Sequence, residues 1–166
     1  TERPEATHPG ALLQADTVHI MLPHGARLYV YTLIDLFSRW AYAEVATKIS
    51  AEASGTFLQK ARQRAPFSFE MIQTDNGGEF QKMFRFRIYK LGLRHRYARV
   101  RQSNDQAHIE RFNRTLQEEC LDHAVQTTPH FARALKQWLP YYNDERMHMG
   151  IDFKTPVEML KAVPRS

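Results

Sequence analysis

The first fifty residues alternate between apolar and polar positions with the period of two that is typical of β-strands. A strand is predicted over residues 12–22, and one of its faces carries both kinds of residue: Gln14, Asp16, Val18, Ile20 and Leu22. Asp16 is unusual on an apolar face, because a buried carboxylate without a partner is costly. It is therefore a candidate functional residue, unless it lies at a frayed strand end or pairs with an arginine.

Two further strands are predicted directly after the first. Residues 28–35 are apolar on both faces, as in a central strand that is covered on both sides of a sheet. Residues 40–46 alternate again and predict a third strand. Because the connecting turns are short, the three strands should form an antiparallel meander.

From residue 50 onward the apolar positions mostly follow the period of amphipathic helices. Two short strands, at 69–74 and 93–100, separate the first three helices, and two more helices complete the chain. Ser50, Thr128 with Pro129, and Thr155 mark three of the helix starts. The predicted order βββαβαβααα describes an α/β fold with a mixed five-stranded sheet flanked by helices.

Length and composition agree with one globular domain. The chain has 166 residues, of which 43% are hydrophobic and 25% charged, so disorder and a second full domain are not expected. The net charge of +5 is modest, but residues 82–114 carry ten basic and only two acidic side chains. That stretch indicates a polyanionic partner; a solvated basic face remains the alternative.

Cysteine usage and hydropathy limit the possible compartments. Cys120 is the single cysteine, which excludes an internal disulfide and any zinc site that needs two cysteines. No apolar run approaches the roughly 20 residues that span a bilayer, so we expect a soluble cytosolic protein. The first residue is Thr rather than Met, which is consistent with a piece of a longer reading frame.

Two more acidic residues, Asp75 and Glu110, are candidates for a functional site. Asp75 follows a predicted strand and precedes an Asn-Gly-Gly turn, although such turns are common without any function. Glu110 lies on a predicted helix beside its apolar stripe, where a solvated Glu is the usual case. Together with Asp16 they could meet above one sheet edge and bind hard divalent cations such as Mg²⁺. Asp35, by contrast, is predicted to shape a turn with Ser38 or Arg39.

Five stretches carry a family resemblance. In order they read QADTVHI, YVYTLIDLFSRWAYAEV, IQTDNGGEF, HIERFNRTLQEE and YYNDERMHMGIDFKTPVEML. They resemble the catalytic core of the DDE transposases of bacterial insertion sequences, a family similar to retroviral integrases. The resemblance spans nearly the whole chain, and the interval of 35 residues between Asp75 and Glu110 is the one that gives the D,D-35-E pattern its name.

The resemblance implies an RNase H-like fold, two Mg²⁺ or Mn²⁺ ions, and DNA as the substrate. Asp16, Asp75 and Glu110 take the three metal-ligand positions, and no covalent protein intermediate is needed. It also implies transposon ends and target DNA as partners, a homo-oligomer of at least two copies, and a location on bacterial DNA in the cytoplasm. Residues 1–166 would then be a single catalytic core without the DNA-binding region that usually precedes it.

Several residues are predicted to contact DNA. By resemblance they are Arg111, Asn113 and Arg114; the basic stretch adds Arg99 and Arg101. Family members often carry Asn-Gly shortly before the Glu, whereas this chain has Gln106-Ala107. Two other functions stay open: a DNA-binding remnant without catalysis, and an RNase H-like nuclease that only hydrolyses.

Overall fold

The sheet and its helices are seen in a computed structural model that describes residues 4–75, 78–99, 101–102 and 104–162, with side chains given for all of these except 78–81. The strands are β1 (Leu13–Met21), β2 (Arg27–Asp35), β3 (Ala41–Ala46), β4 (Met71–Thr74) and β5 (Arg94–Tyr97). The helices are α1 (Ala51–Arg64), α2 (Gly78–Lys90), α3 (Ala107–Glu119), α4 (Thr128–Asp144) and α5 (Pro156–Lys161). The predicted element order is confirmed.

The five strands form one mixed sheet in the order β3-β2-β1-β4-β5. The first three strands are antiparallel neighbours, as predicted, whereas β4 is parallel to β1 and β5 is parallel to β4. Parallel neighbours need a crossover, and α1 and α2 supply it. This arrangement places β1 at the centre of the sheet, next to β4.

Helices cover both faces of the sheet and create two apolar layers. On one face, α3 and α4 bury Ile109, Phe112 and Trp138 against β1 and β2. On the other face, α1 and α2 bury Phe57 and Phe84. Gln14 and Asp16 lie on the face that α3 covers, since alternate residues of β1 point to opposite sides.

Helix starts agree with the sequence. The side chains of Ser50 and Thr127 accept a hydrogen bond from the first turn of α1 and α4, and Thr155 forms a capping box with Glu158. The chain turns after α2 at Gly92, where φ is +75°. Within the described residues, no helix is both long and apolar enough to cross a membrane.

Four strands are shorter than predicted: β1 by one residue at each end, β3 by one residue at its start, and β4 and β5 more clearly at one end. β4 begins at Met71 because its partner β1 begins only at Leu13, which pairs with Ile72. β5 ends at Tyr97 because the last residue of β4, Thr74, is its partner there. Two short 3₁₀ helices, Leu121–His123 and Met149–Ile151, were not predicted, since three residues are too few to show a periodic pattern.

Asp35 has the structural role that the sequence predicts. Its buried carboxylate accepts hydrogen bonds from the backbone N–H of Gly10 at 2.9 Å and of Ser38 at 3.0 Å, and from the Ser38 hydroxyl at 2.6 Å. These bonds fix the turn between β2 and β3. The Asp35 carboxylate therefore has a structural role in the fold.

Candidate functional site

Three elements bring the predicted acids to one region of the sheet. Asp16 lies partly buried in β1, and Asp75 is exposed directly after the end of β4. Since Gln14 and Gln73 are paired across β1 and β4, the two aspartates follow side by side two residues later. Glu110 is exposed in the first turn of α3, which packs on β1 and β2.

The charge state of Asp16 reflects this proximity. Burial raises the pKa of the Asp16 carboxyl, and the negative charges of Asp75 and Glu110 raise it further. Hydrogen bonds from the Thr17 backbone and the Asn113 side chain act in the opposite direction. Asp16 is therefore close enough to Asp75 and to Glu110 to be affected by the charge of each.

Asn113 holds one side of the Asp16 carboxylate. Its side-chain N–H group donates to Asp16 Oδ2 at 3.0 Å, and its Oδ1 is buried without a hydrogen-bond partner among the described residues. The predicted DNA contact of Asn113 therefore competes with a bond that the amide already makes to Asp16. Sequence reasoning placed Asn113 beside Glu110 on α3 but not against β1.

The donor set is suited to a hard divalent cation. All three acids offer oxygen ligands, and a bound cation would offset the negative charges that act on Asp16. Asn113, which contacts Asp16, also has a buried acceptor without a hydrogen-bond partner among the described residues. In the part of the chain that the structure describes, however, no three His, Cys, Asp or Glu side chains form a group that could hold a metal ion. Metal binding would therefore require Asp75 and Glu110 to turn toward Asp16.

The predicted DNA-contacting arginines divide into two kinds. Arg111 and Arg114 are exposed on α3 next to Glu110, and Arg101 is exposed at a left-handed backbone position with φ of 63°. Arg99 instead forms a salt bridge with Asp105 at 2.9 Å and, with its backbone N–H, holds the loop before α3. Arg99 thus has a structural partner, whereas Arg111 and Arg114 present their charge to solvent.

A cationic and aromatic surface on α2 and β5 was not singled out from the sequence. The Arg85 guanidinium lies 5.7 Å from the Tyr89 ring centroid and 6.0 Å from that of Tyr97, and Lys90 lies 5.2 Å from the Phe86 ring. Phe86 and Tyr89 are each 53% exposed. In the sequence, this surface could have been found from the aromatic and basic residues that recur at helical spacing. Such a surface suits phosphate groups and bases.

Without metal, replacing Asp16 by Asn should stabilise the fold at neutral pH. A folded-state pKa above the normal value near 3.8 means that ionisation of Asp16 destabilises the protein once the pH exceeds that value. The Asn side chain keeps an acceptor for Asn113 and removes the charge. We therefore expect the variant to melt at a higher temperature than the wild type at pH 7.

Thermal melts in EDTA over a series of pH values provide the measurement. The gain should grow as the pH rises from below 3.8 through the raised pKa of Asp16, and should vanish at the acid end. A variant that melts at or below the wild-type temperature at pH 7 would contradict a raised pKa of the buried Asp16 carboxyl.

Comparison with known families gives two overlapping matches. A model of the integrase core domain matches residues 6–103, and a second integrase core domain model matches residues 91–156. The first match includes Asp16 and Asp75, and the second includes Glu110. Together they cover the elements that carry the candidate site.

Two curated relatives are 27% identical over 165 residues, which is 95% of this chain. One is the transposase for insertion sequence element IS904 of Lactococcus lactis subsp. lactis, and the other is the 31.7 kDa protein of insertion element IS407 of Burkholderia multivorans. The chain spans 64% and 58% of their respective lengths.

Solved structures share the fold at low sequence identity. A chain of the simian T-cell lymphotropic virus intasome, determined in complex with a PP2A regulatory subunit, aligns with a TM-score of 0.76 at 20% identity, over 95% of this chain and 56% of that one. The HTLV-2 integrase catalytic core domain, solved with magnesium, aligns with a TM-score of 0.70 at 17% identity, over 94% of this chain and 99% of that one. These neighbours are RNase H-like, so the fold class predicted from the sequence is confirmed.

Proposed function

This chain belongs to the integrase core domain family, and on that premise we propose that it catalyses metal-dependent DNA strand transfer. The reaction would cut a DNA strand at the end of a mobile element and join that end to target DNA. Its curated relatives include a transposase of a bacterial insertion sequence. The observation that supports the proposal is that Asp16 in β1, Asp75 after the neighbouring strand β4, and Glu110 in the first turn of α3 lie in one region of the fold.

Asp16, Asp75 and Glu110 are the residues that would hold Mg²⁺ or Mn²⁺, with two ions sharing the three carboxylates. When bound, such ions activate an attacking oxygen and stabilise a leaving one in phosphodiester chemistry. Asn113 keeps Asp16 oriented through its 3.0 Å hydrogen bond. Asp75 and Glu110 are both exposed, and metal binding would require their side chains to turn toward Asp16.

The chemistry needs no nucleophile from the protein. Water attacks a phosphorus atom in line and breaks its bond to the 3′-oxygen, which leaves a free 3′-hydroxyl. That hydroxyl then attacks a phosphorus atom of the target strand and displaces its 3′-oxygen. Cys120, the single thiol of the chain, is a poor alternative, because burial raises its pKa to about 11.

Arg111 and Arg114 would position the DNA backbone beside Glu110, with Arg101 and the surface of Arg85 and Tyr89 extending the contact. The excess of basic residues in 82–114 supports this path. We further propose that the protein acts as at least a dimer on bacterial DNA in the cytoplasm. Residues 1–166 would serve as the catalytic core, with recognition of the element's ends provided by a segment outside them.

A cutting and joining assay tests this function against the two alternatives. A labelled duplex that ends in the element's terminal repeat is incubated with Mg²⁺ or Mn²⁺ and with the protein joined to the segment that recognises these ends. Strand transfer predicts both a shortened strand and longer, joined products. Shortened strands alone would identify a nuclease, and binding without any cutting would identify a non-catalytic remnant; either result overturns the proposal.

A further inference from the structure

Two buried glutamines lie directly behind the candidate site. Gln14 and Gln73 are 0% exposed and are paired with each other across the parallel strands β1 and β4. Each precedes an acid of the triad by two residues, Asp16 in one strand and Asp75 in the other. Both glutamines therefore occupy the sheet face that α3 covers.

Both side chains bind the start of the helix that carries Glu110. The side-chain N–H groups of Gln14 and Gln73 each donate to the backbone carbonyl of Asp105 at 2.6 Å. Gln14 Oε1 accepts from the backbone N–H of Ile109 at 3.0 Å, one residue before Glu110. The first turn of α3 is thus fastened to two strands at once.

Gln106 completes the connection. It stands at the N-cap of α3 without making a side-chain capping bond, and its Oε1 instead accepts from Gln73 Nε2 at 2.7 Å. Where many family members have Asn-Gly, this chain therefore uses Gln106 to bind the sheet. The salt bridge of Asp105 with Arg99 holds the same loop from the outside.

We propose that Gln14 and Gln73 are positioning residues, which set the location of Glu110 relative to Asp16 and Asp75. This inference rests on the proposed function and deepens it. Any shift of α3 across the sheet changes the spacing of Glu110 from both aspartates, and Mg²⁺ requires near-ideal octahedral geometry. A misplacement of about 1 Å can reduce a rate by up to 10²-fold.

The choice of glutamine fits this role. A primary amide both donates and accepts, so Gln14 binds the Asp105 carbonyl and the Ile109 N–H group together. Gln73 uses only its N–H group, and its Oε1 has no hydrogen-bond partner among the described residues. Glutamine is also neutral, and so adds no negative charge to a region where Asp75 and Glu110 already raise the pKa of Asp16. Apolar residues would fill the same space but would leave the Asp105 carbonyl and the Ile109 N–H without these partners.

Replacement of each glutamine by methionine, which has a similar length and no amide, tests the proposal. Calorimetry gives the Mn²⁺ affinity of the protein without DNA, and steady-state assays separate kcat from KM for the DNA. For Gln14→Met and Gln73→Met we expect Mn²⁺ affinity and kcat to fall about 10-fold each, with KM unchanged. Hydrogen exchange at the Ile109 amide should accelerate in Gln14→Met, because that amide loses its acceptor.

Asn143→Leu is the matched control. Asn143 is a buried amide that binds the backbone N–H and carbonyl of Ala41 at 2.9 Å each and so fastens α4 to β3, on the opposite side of β1 from β4. The Asn143→Leu substitution should lower the melting temperature by about as much as the two methionine substitutions do, while leaving Mn²⁺ affinity and kcat at wild-type values. This comparison separates positioning from stability alone.

Wild-type Mn²⁺ affinity and kcat in both methionine variants would overturn the proposal and leave the glutamines a purely structural role. If neither variant folds, Gln106→Ala removes one of the two acceptors of Gln73 and leaves the other, the Asp105 carbonyl, in place. A loss of about 3-fold in Mn²⁺ affinity supports the proposal, and no loss overturns it. Failure of the proposed function would appear in the wild type, as absent cutting or as Mn²⁺ binding that Glu110→Gln leaves unchanged. The Ile109 exchange rate reports on the glutamines in either case.

Discussion

Replacing Asp75 by Asn is expected to abolish Mg²⁺-dependent cutting and joining of DNA, with rates lower by about 10³-fold or more. The amide keeps the size of the side chain but removes the negative charge that binds a cation. Asp16→Asn and Glu110→Gln should have the same effect, since each removes one of the three proposed carboxylate ligands. Strand cutting and strand joining are measured separately on a labelled duplex.

Two acids elsewhere in the fold provide controls for these substitutions. Glu44 on β3 forms a 3.0 Å ion pair with Lys60 on α1. Asp152 is exposed in a left-handed turn that Asn also tolerates. Glu44→Gln and Asp152→Asn should therefore retain wild-type rates. Full activity in any one of the three triad variants would contradict the assignment of the site.

Neutralising Arg111 and Arg114 together should weaken DNA binding by about 10–100-fold at moderate salt. Both side chains are exposed beside Glu110, where the proposed DNA backbone passes. Each phosphate contact that is lost should also reduce the slope of log affinity against log salt by about 1. Fluorescence anisotropy of the Arg111→Gln/Arg114→Gln variant, titrated at several salt concentrations, measures both effects.

Arg133→Gln provides the comparison for this experiment. Arg133 is exposed on α4, outside the basic stretch of residues 82–114. Its loss removes the same type of charge from a different surface, so affinity should change little. If the double variant and Arg133→Gln have equal affinities and equal salt slopes, DNA does not pass along α3.

The periodic parts of the fold could be predicted from the sequence because they depend on local physics. Alternation placed Gln14 and Asp16 on the covered face of β1, and helical spacing placed Ile109 and Phe112 in the core. Strand ends were less predictable, because a strand ends where its partner does: β5 ends with β4. That dependence joins segments that are distant in the sequence.

The candidate site also combines positions that the sequence predicts with contacts that it does not predict. Asp75 could be anticipated at the end of a strand and Glu110 on a helix, since each position follows from local pattern. The bond between Asn113 and Asp16 joins residues 97 positions apart, and Gln14 contacts the loop 91 positions later. Such contacts depend on how α3 packs on the sheet, and no periodicity in the sequence indicates that packing.

A crystal structure of the protein soaked in Mn²⁺ tests the central claim most directly. Anomalous density between Asp16, Asp75 and Glu110, with carboxylate oxygens about 2.1 Å from the metal, is the predicted result. It would show that Asp75 and Glu110 turn toward Asp16 when a cation is present. An ordered site without metal density, with the three carboxylates more than about 10 Å apart, would contradict it, since ligands that share a metal cannot be so distant.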